Sequence, residues 1–251
     1  MKEEKKIEGF ILLNKPHGMT SFNCVERIKY HLPKKTKVGH AGTLDSYATG
    51  LLIIAIGRPA TRELGRLLKL DKWYTARAKL GQWTDTLDFT GQTIQDEPIA
   101  ISKKQLEDAI ASFGNAYAQT PPIYSALKHE GRRLSQLARK DALTDEELKE
   151  IAKEKTKVVQ LYHLSLESYE PPFFSIKAHV SHGTYIRMLL EDIAEKVGTH
   201  ATIHKLERTQ IGPFELEQAI DLNKLENQQE IEKHLIPIIK FIKKIKGYSS
   251  P

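Results

Sequence analysis

Cysteine is all but absent from this chain. Cys24 stands alone among 251 residues, which excludes an internal disulfide and a thiolate metal cluster, and a reducing compartment is expected. Long apolar runs are lacking as well. None approaches the length of a bilayer span, and the charged start Met1-Lys2-Glu3-Glu4-Lys5-Lys6 has no apolar signal region behind it, so a soluble cytoplasmic protein without a membrane partner is expected. No internal repeat or low-complexity linker is evident, and the length allows one large domain or two. Positive charge is in supply: a formal net of +6 suits a polyanionic partner, although charge alone does not identify one.

Strand and helix patterns interleave. Residues 10–13 read as a strand, and Ser21 is placed to cap a helix running to about Leu32. Residues 51–56 form a short continuous apolar run of strand length. From Trp73 to Leu80 the pattern alternates, with Tyr74, Ala76, Ala78 and Leu80 on one face and Thr75, Arg77 and Lys79 on the other. Ser102 and Gln105 fit a capping box before a helix that carries Leu106, Ala109, Ile110 and Phe113 on one side. Phe174, Ile176, Ala178 and Val180 alternate with polar neighbours until Gly183 breaks the strand and a helix follows over about 185–197. The class is α+β.

Chemistry concentrates at Gly39-His40-Ala41-Gly42-Thr43-Leu44-Asp45-Ser46-Tyr47-Ala48-Thr49-Gly50, where three glycines bracket one His and one Asp ahead of the apolar strand. Asp45 reads either as a turn-capping residue or as a lone catalytic carboxylate. Paired-acid glycosidase chemistry needs a second carboxylate, which this segment lacks, and a phosphate loop needs Lys-Ser/Thr where Leu51-Leu52 stands. His200 and His204 have the spacing of zinc ligands on a helix, but no Glu follows His200 and no third ligand is in register, so no metal is expected.

That loop resembles the catalytic motif of TruB-type pseudouridine synthases, which form pseudouridine 55 in the T-loop of tRNA. Further segments match in the family's order: Gly9-Phe10-Ile11-Leu12-Leu13-Asn14-Lys15-Pro16-His17-Gly18-Met19-Thr20-Ser21, Lys72-Trp73-Tyr74-Thr75-Ala76, Leu80-Gly81-Gln82-Trp83-Thr84-Asp85-Thr86-Leu87-Asp88, Pro121-Pro122-Ile123-Tyr124-Ser125-Ala126-Leu127-Lys128, Ser181-His182-Gly183-Thr184-Tyr185-Ile186-Arg187 and Leu206-Glu207-Arg208-Thr209-Gln210-Ile211-Gly212-Pro213-Phe214. The similarity covers about residues 9–225. It implies a mixed, largely antiparallel central sheet flanked by helices, tRNA recognised through its T-arm, no cofactor and no obligate protein partner.

The resemblance also assigns roles. Asp45 becomes the nucleophile and Arg187 the cation paired with it; from the residues alone, Arg187 reads as an exposed i,i+4 partner of Glu191. Tyr74 matches the tyrosine that stacks on the target base, where the blind expectation is a core ring between small alanines. His40 matches a residue set against flipped nucleotides, Lys15 and Pro16 a pair near the active site, and Leu206 an apolar residue lining the pocket, while Gly42 and Thr43 join the substrate-binding set. Lys15 on the surface and Leu206 in ordinary core are the bland alternatives. Arg58, Arg62 and Arg66 recur every four residues opposite Leu64, Leu67 and Leu68, which predicts one basic helical stripe for phosphates. Lys128, Arg132, Arg133, Arg139 and Lys140 form a second basic cluster, within an insertion at about 119–157 that resembles the family's clamp on the T-arm.

Departures are few. Ser46 stands where proline usually follows the aspartate, Ser135 replaces a usual aromatic, and an acidic helical stretch is added at 141–154. The expected organisation is a catalytic domain over 1–230 and a basic amphipathic tail over 231–251, helical with Leu235, Ile236, Ile238, Ile239, Ile242 and Ile245 on one face, without a complete C-terminal domain of the PUA type. A guide-RNA-dependent ribosomal RNA synthase and a non-catalytic tRNA-binding or folding protein are the alternative functions.

Overall fold

The computed structural model describes residues 6–125, 127–138 and 143–251. The charged start at 1–5, Ala126 of the fourth motif, Arg139 and Lys140 of the second basic cluster, and the opening of the acidic stretch at 141–142 lie outside the described residues. The chain divides into two compact units, Met1–Thr75 with Leu206–Pro251, and Ala76–Lys205.

The first unit is built on a mixed sheet. Strand β1 (Gly9–Lys15) runs antiparallel to β3 (Thr49–Ile56), from Gly9 opposite Ile56 to Lys15 opposite Gly50, and β2 (Val38–Ala41) pairs antiparallel along the other edge of β3. The strand Ala201–Ile211 joins that edge in parallel, with Glu207 opposite Thr49 and Arg208 opposite Gly50. The apolar run in β3 is continuous because both of its faces are covered. Leu52, Ile54 and Ile56 pack with Cys24, Val25 and Ile28 of α1 (Ser21–Tyr30), while Leu51, Ile53 and Ala55 pack with Phe214, Phe241 and Ile245. Cys24 is fully buried, and burial pushes its thiol above the usual range.

Three local expectations are corrected. Thr20, not Ser21, caps α1: its hydroxyl accepts from the Asn23 amide at 3.0 Å, which frees Ser21 for a tertiary contact. The arginine stripe is not one helix but two, α2 (Arg58–Thr61) and α3 (Leu64–Leu68), because the Glu63 amide closes a tight turn on Ala60. Arg58, Arg62 and Arg66 are all exposed, and so is Leu68, expected among the apolar residues opposite them. The tail is likewise divided. A short helix, Gln228–Lys233, ends before Ile236 bridges to Phe10 of β1, Pro237 cannot continue that pairing, and a second helix runs from Ile238 to Lys246. Its buried face is Phe241 and Ile245, whereas Ile239, expected on the apolar face, is 86% exposed.

In the second unit, strands Lys157–Glu170 and Phe173–Val180 form a long antiparallel pair, and Ala116–Gln119 extends it. Helix Lys103–Ala111 opens with the expected capping box at Ser102 and Gln105 and buries Leu106, Ala109 and Ile110. Strand β4 (Lys72–Leu80), which begins in the first unit and ends in the second, buries every alternate residue from Lys72 to Leu80, with Tyr74, Ala76 and Ala78 between them. Within 119–157, Lys128–His129 and Arg132–Arg133 pair around Glu130 and Gly131, both at positive φ as a two-residue hairpin turn requires. Leu134, Leu137 and Leu148 give that segment a small core of its own, and Thr144 and Glu147 cap the acidic helix Asp145–Glu154. The architecture is α+β with a mixed, largely antiparallel sheet.

The Phe241 ring stacks on Phe10 at 3.9 Å between centroids and on Phe214 at 4.2 Å. Phe241→Ala should therefore destabilise the fold by about 3–5 kcal/mol, measured as a lower denaturant midpoint. A midpoint within error of the parent would mean that the C-terminal helix is not docked through this ring.

Candidate active site

Asp45 lies on the seven-residue connection, 42–48, of the β2–β3 hairpin, and the backbone on both sides of it is tied down. The Ser21 hydroxyl accepts from the Leu44 amide at 2.9 Å and donates to the Leu44 carbonyl at 3.2 Å. The Ser46 carbonyl accepts from the Gly18 amide at 2.9 Å and from Lys15 Nζ at 3.2 Å. The Ala48 amide closes on the Asp45 carbonyl at 3.1 Å. Residues 44 and 46 are thus fixed on either side of a half-buried carboxylate that receives a long 3.5 Å contact from the Tyr47 hydroxyl. Ser46 needs no proline ring for this, since its carbonyl has two donors.

Arg208 ties the start of the connection to strand β3. This side chain is 1% exposed; its Nε donates to the Leu51 carbonyl at 2.8 Å and its Nη2 to the Gly42 carbonyl at 2.9 Å. Gly50 is held at φ 102° with its α-carbon against the Arg208 backbone, where an added Cβ would lie 2.4 Å from the carbonyl oxygen. Only glycine fits both constraints.

Cations dominate the field beneath the loop. Lys15 is fully buried, not on the surface, and donates to the carbonyls of Pro16 at 2.9 Å, Met19 at 2.6 Å and Ser46. Burial pulls its pKa down to about 8, and the neighbouring Cys24 thiol and Asp45 carboxylate resist that shift. Lys72 is 6% exposed, donates to the Leu68 carbonyl at 3.2 Å and to that of Leu70, and is held at about 7 by burial and by Arg208, against the pull of Asp71. His40 is also lowered, by burial first and Arg208 second, which keeps its imidazole neutral at pH 7; its Nδ1 is buried without a hydrogen-bond partner.

The remaining expected residues separate by unit. Tyr74 and Leu206 are buried in the first, each 8% exposed, and Gly42, Thr43, Pro16 and the three exposed arginines belong there too. Arg187, Lys128, Arg132 and Arg133 belong to the second. Arg187 is no surface partner of Glu191. It is 6% exposed, donates to the carbonyls of Thr86 at 2.7 Å and Tyr124 at 2.9 Å, and stands 3.7 Å from Asp88. Glu191 is instead buried against His200 Nδ1 at 2.5 Å and the Ala201 amide at 2.7 Å. His204 sits on a strand, not a helix, bonded to Gln82 at 2.9 Å. Among the described residues no group of three or more His, Cys, Asp or Glu could hold a metal ion.

Sequence reasoning assigned no role to Ser21 in the loop, to Lys72 or to Arg208. The signal for the last two was present: Lys72 shares the parity of Tyr74 on β4, and Arg208 that of Leu206 on its strand, which puts each charge on a buried face.

The lowered Lys15 pKa has a signed consequence. The unfolded chain keeps this proton up to the ordinary lysine range while the folded chain releases it near 8, so the group lends increasing stability as pH rises above about 8. Lys15→Met should be less stable than the parent at neutral pH, since three carbonyls lose their donor, and its denaturation midpoint should climb less between pH 8 and pH 10. Parallel midpoint curves for the two proteins would contradict this.

The chain is similar to known proteins along most of its length. Residues 29–186 match the model of the TruB family pseudouridylate synthase N-terminal domain, and residues 187–240 that of the tRNA pseudouridylate synthase B C-terminal domain. The tRNA pseudouridine synthase B of Clostridium kluyveri is 38% identical over 93% of this chain and 77% of its own length, and that of Protochlamydia amoebophila 36% identical over 92% and 84%. A chain in the crystal structure of a Cbf5-Nop10-Gar1 complex matches with a TM-score of 0.69 and 25% identity over 94% of this chain, which spans 62% of that chain's length. One in an archaeal box H/ACA sRNP Nop10-Cbf5 complex, at 23% identity and a TM-score of 0.66 over 95% of this chain and 61% of its own length, shares the fold. The chain belongs to the TruB family of pseudouridylate synthases.

Proposed function

We propose that this chain isomerises the T-loop uridine of tRNA, position 55, to pseudouridine, with Asp45 as the nucleophile. The observation that supports it most is the immobilised loop: a single half-buried carboxylate presented on a hairpin whose flanking residues are bonded to Ser21, Gly18 and Lys15. The family membership supports the reaction class, and the named relatives support tRNA as the substrate.

The reaction breaks the bond between N1 of uracil and C1′ of ribose, turns the base, and joins C5 to C1′; C5 gives up its proton and N1 gains one. There is no net redox change, so no cofactor is called for. A carboxylate nucleophile holds one fragment covalently during the turn, through C1′ or through C6, and is regenerated when the adduct breaks. It must be ionised to attack, and the Asp45 carboxylate is one of the groups that support the ammonium form of Lys15. In this reading Arg187 adds a further compensating charge, Tyr74 stacks on the base, Leu206 lines the pocket beside it, and the neutral ring of His40 fills space left by extruded nucleotides, whose unstacking costs a few kcal/mol. Lys15 and Pro16 set the floor with Gly42 and Thr43. Exposed Arg58, Arg62, Arg66 and Arg132 suit phosphate oxygens, and Lys128 and Arg133 complete the basic set of the T-arm clamp.

Asp45→Asn should abolish pseudouridine formation in a T-arm stem-loop while leaving its affinity within about tenfold, because phosphate contacts dominate binding. Turnover above a tenth of the parent rate would sink the nucleophile assignment.

Arg187→Met should reduce the single-turnover rate at saturating RNA far more than it weakens binding. Unchanged single-turnover kinetics would leave Arg187 as a structural tie between Thr86, Asp88 and Tyr124.

A further inference from the structure

Lys72 is a costly residue to bury. Its place on β4 shares a face with Tyr74, where an apolar side chain would satisfy the strand pattern, yet an amine occupies it. Three sets of contacts explain why. Its Nζ takes the carbonyls of Leu68 and Leu70 at the end of α3, groups that a helix terminus leaves without partners. Helix α3 in turn bears on β2: a Cβ added to Gly39 would come within 2.8 Å of Leu64 Cδ1. The lysine stem faces the other end of the same segment, with Cε 3.6 Å from where a Gly42 side chain would begin, beside the Arg208 guanidinium that holds the Gly42 carbonyl.

Lys72 is itself supported from behind. Asp71 is 2% exposed, and its two carboxylate oxygens accept from the Tyr248 hydroxyl and the Ser250 hydroxyl, each at 2.7 Å. Its amide-linked carbonyl accepts from the Gly212 amide at 2.9 Å. Burial and then Arg208 disfavour the ammonium form of Lys72, and the negative charge of Asp71 favours it. The segment following the C-terminal helix therefore holds Asp71, and through the peptide bond to Lys72 it anchors the start of the strand whose lysine reaches the turn that presents Asp45.

We propose that Lys72 is a positioning residue for the Asp45 loop, braced by Asp71 and by the Tyr248 and Ser250 hydroxyls. The functional part rests on Asp45 as the reacting carboxylate; the positional part does not.

The test uses the full chain and a T-arm stem-loop RNA, with the parent, Lys72→Met, and the double variant Tyr248→Phe/Ser250→Ala, which removes two hydroxyls while leaving Lys72 in place. Amide hydrogen exchange across 42–48 should quicken roughly tenfold or more in both variants, while α1 exchanges as in the parent. Single-turnover rates should fall at least about tenfold in Lys72→Met and less in the hydroxyl variant, with RNA affinity within about threefold, since a small misplacement of a reacting group is enough to slow chemistry. Combining all three substitutions should be no slower than Lys72→Met alone, as groups acting through one another are not additive. Unchanged exchange in 42–48, or multiplicative rate losses, would overturn the brace. Quickened exchange with an unaltered rate would support the brace and overturn the Asp45 reading instead. If Lys72→Met does not fold, the exchange of the hydroxyl variant decides by itself.

Discussion

A guanidinium sealed from water cannot be left with its donors unused, and the first unit is organised around satisfying one. Arg208 bonds the carbonyl that opens the Asp45 connection and one just past its end, while its own backbone lies so close to Gly50 that no side chain fits between them. Leaving such a charge unpaired in the interior would cost several kcal/mol, so the loop has few conformations in which the fold remains intact. The hairpin is rigid as a consequence of electrostatics as much as of packing. Lys15 repeats the device on the other side, with three carbonyls around one ammonium.

Carbonyls as partners have a chemical consequence. Were Lys15 and Arg208 neutralised by carboxylates of their own, their fields would cancel at short range. Backbone dipoles satisfy the hydrogen-bond donors without removing the charge, so a positive potential persists beside the loop. His40 is pushed down by its burial first and by the field of Arg208 second.

Much of this was legible in the residues. The alternation of β4, the doubly buried run of β3, the capping box at Ser102 and the break at Gly183 all follow from local rules that tertiary structure leaves intact. The choice of Asp45 depended on a resemblance, because an aspartate between glycines is equally suited to capping a turn. What escaped was set by competition between neighbours. Thr20 and Ser21 are both good caps, and only the distant Leu44 amide determines which hydroxyl is released for other use. Ile236 pairs with β1 because Phe10 offers it a free edge, which no helical periodicity in the tail could indicate. Arg187 reads as a surface residue until its partners, the carbonyls of Thr86 and Tyr124, are known, and both are remote in sequence.

The solitary cysteine gains a use from its surroundings. Cys24 lies in the core between α1 and the sheet, with its thiol held protonated by burial. Thiolate is the reactive form, so alkylating and oxidising reagents meet an inert group as long as α1 stays packed. Because α1 begins at the hydroxyl that holds Leu44, the same packing that hides the sulfur also anchors the loop. The chain thus contains an intrinsic chemical probe: the rate at which a thiol reagent labels it reports how often the scaffold beneath Asp45 opens, with no competing cysteine in the signal.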